Sequence, residues 1–165
     1  MRHKRSLIGA ISALILALTA GVTAGSAQAA APLDRGDAGQ VLRAPAAPAG
    51  AAVASPQGLA AVSPSVSPSA TSQHVAPGGT FYCDSGNLCA AVWDPTTANW
   101  EIFHLYDCNR YYLSNWGNTG YYWNLQTGNP TSTFYGQSGN VIKTFKPFSE
   151  RRQQDWNPVW SIRNC

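Results

Sequence analysis

One histidine, His104, lies between residues 80 and 165, in an alternating run rich in aromatic residues. An imidazole acts as a general base only with a nucleophile within hydrogen-bond reach and a third group to orient the ring. No residue near His104 in sequence marks either partner, and a Cys–His pair is closed off once the cysteines are bridged. Glu101 and Asp107 invite comparison with the paired carboxylates of a glycosidase. Asp107, however, falls at the end of the strand that carries Glu101, and Glu150 and Asp155 sit in a loop, so these acids read as surface charges. The expectation is a non-enzyme with no catalytic residue, in which His104 is a packing residue. Cys83 and Cys89 stand too far apart for a Cys-x-x-Cys knuckle, and no histidine cluster accompanies them, so neither metal nor cofactor is expected.

The elements that must carry these side chains read as short strands. Residues 103–127, FHLYDCNRYYLSNWGNTGYYWNLQT, alternate apolar and polar at the two-residue period of a half-buried strand. Asn109, Gly117-Asn118 and Gly120 punctuate the run where the chain reverses. An entry strand at 80–83 leads through the turn Asp84-Ser85-Gly86-Asn87 to a strand at 88–93. Residues 100–106 are apolar on both faces, which predicts a central strand of a two-layer sandwich. A hairpin is predicted from 111–116 and 120–125, and another from 131–135 and 141–145 around a glycine-rich loop. Residues 146–157 read as the longest irregular piece, and 159–163 as the closing strand. No stretch sustains a 3.6-residue apolar period, so the fold class is all-β. Trp123–Thr127 has an echo in Trp156–Ile162, which suggests two related halves.

The chain begins with Arg2, Lys4 and Arg5, then an apolar run over residues 7–22, then the small-x-small triplet Ala27-Gln28-Ala29. That is the pattern of a signal peptide over residues 1–29, with export to the extracellular space and no membrane span after cleavage. Residues 30–79 are mostly Ala, Pro, Ser, Gly and Val without an aromatic residue, and read as a disordered linker or pro-segment. Every Trp, Tyr and Phe falls later, so the folded unit is placed at 80–165. The net charge of +3 comes from the first five residues. Within 80–165 the bases Arg110, Lys143, Lys146, Arg151, Arg152 and Arg163 are matched in number by Asp84, Asp94, Glu101, Asp107, Glu150 and Asp155. A neutral domain has no electrostatic footprint for nucleic acid. Four cysteines behind an export signal predict disulfides that reinforce a modest core.

The aromatic load exceeds what a domain of this size can bury. Tyr111, Tyr112, Trp116, Tyr121 and Tyr122 are therefore the binding candidates. Adjacent strand residues face opposite ways, so one tyrosine of each pair belongs to the core and the other faces out.

The pattern Cys83-x-Ser85-Gly86-x-Leu88-Cys89, the strand Phe103-x-Leu105-Tyr106 and a closing aromatic-Asn-x-x-Thr resemble secreted actinobacterial βγ-crystallin-like domains. The likeness is strongest to the streptomycete metalloproteinase inhibitor family and covers none of residues 1–79. It implies a sandwich of two Greek-key motifs and a monomeric peptidase inhibitor that docks through preorganised loops. The alternatives are a carbohydrate- or cell-wall-binding module, with exposed rings stacking on sugars, and a toxin-like antimicrobial protein, an activity of other such domains. Calcium-binding members use two Asn/Asp, two variable residues, then Ser/Thr and Ser. Here Trp123–Gly128 and Trp156–Ser161 each put Trp at a ligand position, leaving Asn124, Thr127, Asp155, Asn157 and Ser161 as weak calcium candidates. Four cysteines allow three connectivities. Cys83–Cys89 is chosen because the turn between them can bring their Cα atoms together and because the family has a local bridge there; Cys108 then falls to Cys165.

Overall fold

The computed structural model describes residues 39–51 and 61–165. Among them are twelve strands and no helix. They run β1 (Gln40–Arg43), β2 (Ser65–Ser67), β3 (Thr71–Val75), β4 (Thr80–Cys83), β5 (Leu88–Asp94) and β6 (Asn99–Leu105). Then follow β7 (Arg110–Ser114), β8 (Thr119–Asn124), β9 (Ser132–Tyr135), β10 (Val141–Phe145), β11 (Phe148–Asp155) and β12 (Ser161–Arg163). Sheet I has the order β11-β8-β5-β6-β3, sheet II the order β10-β9-β12-β7-β2, and β1 pairs with β4 in a separate ribbon.

The two quartets β5–β8 and β9–β12 share one connectivity. In each, the first strand lies between the second and the fourth, and the third strand crosses to the other quartet's sheet. So β7 pairs with β12, and β11 pairs with β8. The hairpin expected between β7 and β8 is therefore not formed. Asn115 and Asn118, both at positive φ, carry the chain from one sheet to the other instead. The stretch read as irregular is largely β11, whose ladder on β8 is interrupted by a register shift between Phe148 and Arg152. Its solvent-facing polar residues hide a strand from an apolar-period reading. The β9–β10 hairpin forms as expected. The repeat is also registered differently from its sequence echo. Trp116 and Trp156 both follow a third strand and precede a fourth, and they meet edge to face at 5.0 Å. Trp123, by contrast, lies inside β8.

Between the sheets, Leu88, Ala90 and Val92 of β5 and Phe103 and Leu105 of β6 pack on Tyr111, Tyr122, Phe134, Phe145, Trp156 and Ile162. The Tyr111 hydroxyl donates to the Asp107 carbonyl at 3.0 Å and pins the corner entering β7. Sheet I is covered on its other face too. Ala91, Trp93, Trp100, Ile102 and Trp123 are packed by Phe81, Val75 and Ala44. That is why all seven residues of β5 are buried.

This second layer corrects the reading of residues 30–79 as a disordered linker ahead of a unit starting at 80. Residues 40–43, 65–67 and 71–75 are strands of the fold. β3 pairs with β6 from Thr71–His104 to Val75–Trp100, and β2 pairs with β7. An edge strand needs backbone hydrogen bonds rather than apolar side chains, so Ser, Thr and Gln suffice. The Trp100 indole also donates to the Pro45 carbonyl at 3.1 Å. The leader read at residues 1–29, with residues 30–38 and 52–60, lies outside the described residues.

Both disulfides pair as expected, Cys83–Cys89 and Cys108–Cys165. The first does not close a hairpin: β4 and β5 belong to different sheets, and the bridge ties the β1–β4 ribbon to sheet I. Gly86 in the intervening turn sits at φ +89°, and a Cβ there would lie 2.9 Å from the Tyr106 ring. The second bridge anchors the C-terminus beside Asn164, whose buried amide donates to the Leu105 carbonyl at 3.0 Å and accepts from the Asn109 amide.

Two outcomes are expected from stability measurements. A chain starting at Thr80 should unfold at much lower urea than the full chain and bind a hydrophobic dye, because it exposes Trp93, Trp100 and Trp123. Equal midpoints would show that the added layer is dispensable. Cys165→Ser should cost about 4 kcal/mol and Cys89→Ser about 2, from the difference in loop length alone; chemical denaturation of both variants checks the order.

Candidate functional site

Strand register brings together three ionisable side chains that sequence spacing keeps apart. His74 of β3 is the cross-strand partner of Glu101 of β6, and Glu101 is the partner of Val92 of β5. Asp94 stands two residues beyond Val92, on the same face of sheet I. That face is the one turned toward sheet II, so Glu101 is 7% exposed and Asp94 is fully buried. His74 Nε2 lies 2.8 Å from Asp94 Oδ2 and 3.9 Å from Glu101 Oε2.

Small polar residues hold three of the four carboxylate oxygens. Asp94 Oδ1 accepts from the Thr96 amide at 2.8 Å and the Thr96 hydroxyl at 2.7 Å, and Oδ2 accepts from Ser63 at 3.2 Å. Ser72 donates to Glu101 Oε1 at 2.9 Å, whereas the buried Oε2 has no hydrogen-bond partner among the described residues. The two carboxyls respond in opposite directions. Burial pushes Glu101 above the usual carboxylate value, and the Ser72 bond and the His74 charge offset it only in part. Burial also works against ionised Asp94, but its bonds from Thr96, His74 and Ser63 outweigh that and hold it low.

Glu101 is thus not the surface charge the sequence suggested. Nor is it paired with Asp107, which follows the far end of β6. His104 is placed between the Gln73 amide, 2.9 Å away, and the bridged Cys89 sulfur at 3.6 Å. Burial draws its imidazole below the usual value. His74 and Asp94 were missed. The available signal was the short run Thr71–Val75, polar residues ending on a buried valine, in a stretch discounted on composition.

A second candidate surface crosses sheet II on its outer face. Register aligns Ser67, Tyr112, Ser161, Tyr135 and Val141 in one row over all five strands. The Arg110 guanidinium lies over both rings, 5.7 Å from Tyr112 and 4.1 Å from Tyr135, and donates to Ser161 Oγ at 3.0 Å. Tyr112 is 57% exposed, Val141 59% and the adjoining Trp160 48%. The Trp160 backbone is held on both sides, by Tyr135 and Leu113.

Of the tyrosine candidates, Tyr112 faces out, Tyr121 is half-buried against Trp100 with Arg151 stacked 4.9 Å over its ring, and Tyr111 and Tyr122 are core. Trp116 is half-buried between Phe103 and Trp156 and donates to the Ser65 carbonyl, so it too is structural. Tyr121, Trp93 and Arg151 also line a groove of about 970 Å³ with Asn118, Gln153 and Asn157.

The calcium candidates do not converge. Asn124 ends β8, whereas Asp155 of β11 pairs with Thr119 at the other end of β8, roughly 16 Å away at the rise of a strand. Asn124 is bonded to Ser132, Ser161 to Arg110, and Asp155 to Asn157; Thr127 is an exposed loop residue. Among the described residues no helix is long and apolar enough to cross a membrane. Comparison with protein-family models, with curated proteins and with solved structures returned no match.

The opposite carboxyl shifts give a signed expectation. Folded Glu101 holds its proton more tightly than unfolded Glu101, so it weakens the fold as pH rises above the ordinary carboxylate range. Asp94 stabilises above that range, and its contribution is lost as pH falls through its lowered value. In EDTA-containing buffer, Glu101→Gln should raise the urea midpoint at about pH 7 and lose the gain at about pH 4, near the unfolded carboxylate value. Asp94→Asn should cost about 2 kcal/mol near neutrality. Loss of stability in Glu101→Gln at neutral pH would contradict the assignment.

Proposed function

We propose that this chain is a secreted, βγ-crystallin-like inhibitor of an extracellular peptidase. Two quartets of the same connectivity, each sending its third strand to the other's sheet, support a fold of two related motifs like the one the resemblance implies. Two disulfides are compatible with an extracellular protein. The observation that carries the binding role is the exposed row on sheet II. Tyr, Trp and Arg dominate protein–protein hot spots, and Tyr112, Tyr135, Trp160 and Arg110 present them on a rigid sheet. Because Arg110 is already stacked and hydrogen-bonded, docking on it costs little further ordering entropy.

A carbohydrate-binding role is the second reading. The groove beside Tyr121 supports it, since an aromatic ring among amide side chains suits a sugar.

The full chain should inhibit a thermolysin-type metallopeptidase stoichiometrically. Tyr112→Ala and Trp160→Ala should each weaken inhibition by about 30-fold, the scale of a hot-spot truncation, with far-ultraviolet spectra unchanged. Absence of inhibition, combined with retention on insoluble chitin or peptidoglycan that Tyr121→Ala abolishes, would replace the first reading with the second.

A further inference from the structure

We propose that His74, Asp94 and Glu101 form a binding site for a divalent transition-metal cation of the zinc type, open to solvent on the His74 side. His74 Nε2, one oxygen of Asp94 and one of Glu101 lie within 4.8 Å of one another. Ligand atoms about 2.0 Å from a tetrahedral zinc stand roughly 3.3 Å apart. The His74 nitrogen is 2.8 and 3.9 Å from the two carboxylate oxygens, so small side-chain rotations bring the donors to that spacing.

The independent observation is the orphaned oxygen. The Glu101 side chain is more than nine-tenths buried, and its Oε2 faces the cluster without a hydrogen-bond partner among the described residues. Buried carboxylate oxygens are ordinarily satisfied. Its twin, Oε1, is held by Ser72, and Asp94 Oδ1 is held by Thr96. Each carboxylate is therefore oriented through one oxygen, as outer partners orient metal ligands, while Glu101 Oε2 and Asp94 Oδ2, the latter shared with Ser63, point toward His74. Among the described residues neither acid has a Lys or Arg ion pair, and the one basic side chain beside them is His74. A divalent cation supplies the missing positive charge at the point where both carboxylates converge.

The donor set indicates the metal class. One imidazole with two carboxylates suits zinc and its first-row neighbours, whereas calcium wants six to eight oxygens. The His74 side chain is 41% exposed, so the cation can enter from the β3 edge, and water can complete the shell there. Ser63 Oγ, 3.2 Å from Asp94 Oδ2, borders the same opening.

The test uses the untagged full chain, stripped with EDTA and titrated with Zn²⁺ by calorimetry and with Co²⁺ by visible absorption. One equivalent should bind, raise the melting temperature and give a visible Co²⁺ band. His74→Ala and the near-isosteric Glu101→Gln should each weaken Zn²⁺ binding by more than about tenfold, the loss that even an outer partner can cause. His104→Ala, which alters the other described histidine, should leave uptake unchanged. No uptake by the full chain would overturn the proposal. So would uptake unaltered in both cluster variants, or uptake abolished by His104→Ala.

Discussion

The packing of this protein converges on one indole. Trp156 lies in the turn after β11, fully buried, and its Nε1 donates to the Ala91 carbonyl at 3.0 Å. The β5–β8 ladder ends at the Ala91–Tyr121 pair, so the indole supplies a donor where the strand no longer does. Its ring meanwhile meets Trp116, Phe134 and Tyr122, side chains contributed from both sheets. A Cβ at residue 120 would sit 2.0 Å from that nitrogen, so Gly120 is required by the approach of the indole, although its position in sequence suggests only a turn. One hydrogen bond thus ties the turn after β11 to β5, while the same indole packs against side chains between the sheets.

Around that centre the layers depend on one another. Sheet I is buried on both faces, so its second apolar layer has to be covered by something. The β1–β4 ribbon and residues 44–51 do this, held by the Cys83–Cys89 bridge and by the Trp100 bond to Pro45. At the other end, Cys108–Cys165 and the Asn164 amide hold the last residues against the end of β6. Each bridge secures a segment outside or at the end of the two main sheets, as expected where a small core needs reinforcement.

The polar features follow from the same burial. A face turned toward sheet II is a poor place for two acids, and Asp94 and Glu101 occupy its edge next to His74. Asp94 is fully satisfied by its neighbours, whereas Glu101 keeps an unmatched oxygen. The aromatic row on sheet II has the opposite character, since Arg110 and the tyrosines share its solvent-facing side without strain. The His74–Asp94–Glu101 cluster, with its unmatched oxygen, and the exposed aromatic row depart from ordinary residue placement, and such departures concentrate at sites of function.

The turn between Cys83 and Cys89 and the resemblance together suggested the disulfide pairing, and Tyr121, expected to face out beside core Tyr122, is half-buried against Trp100. Local periodicity was enough to establish an all-β chain and the place of one tyrosine of each adjacent pair in the core. Those features depend on alternation and on distances along a short stretch of chain, which the sequence carries directly. The strands at 40–43, 65–67 and 71–75, the passage of β7 and β8 into different sheets, and the meeting of His74 with Asp94 and Glu101 came only with the tertiary structure. Edge strands are recruited by backbone hydrogen bonds and need no apolar pattern to announce them. Register between strands is decided by packing against the opposite sheet. A residue such as Glu101 therefore reads as one more surface acid until the strand beside it is known.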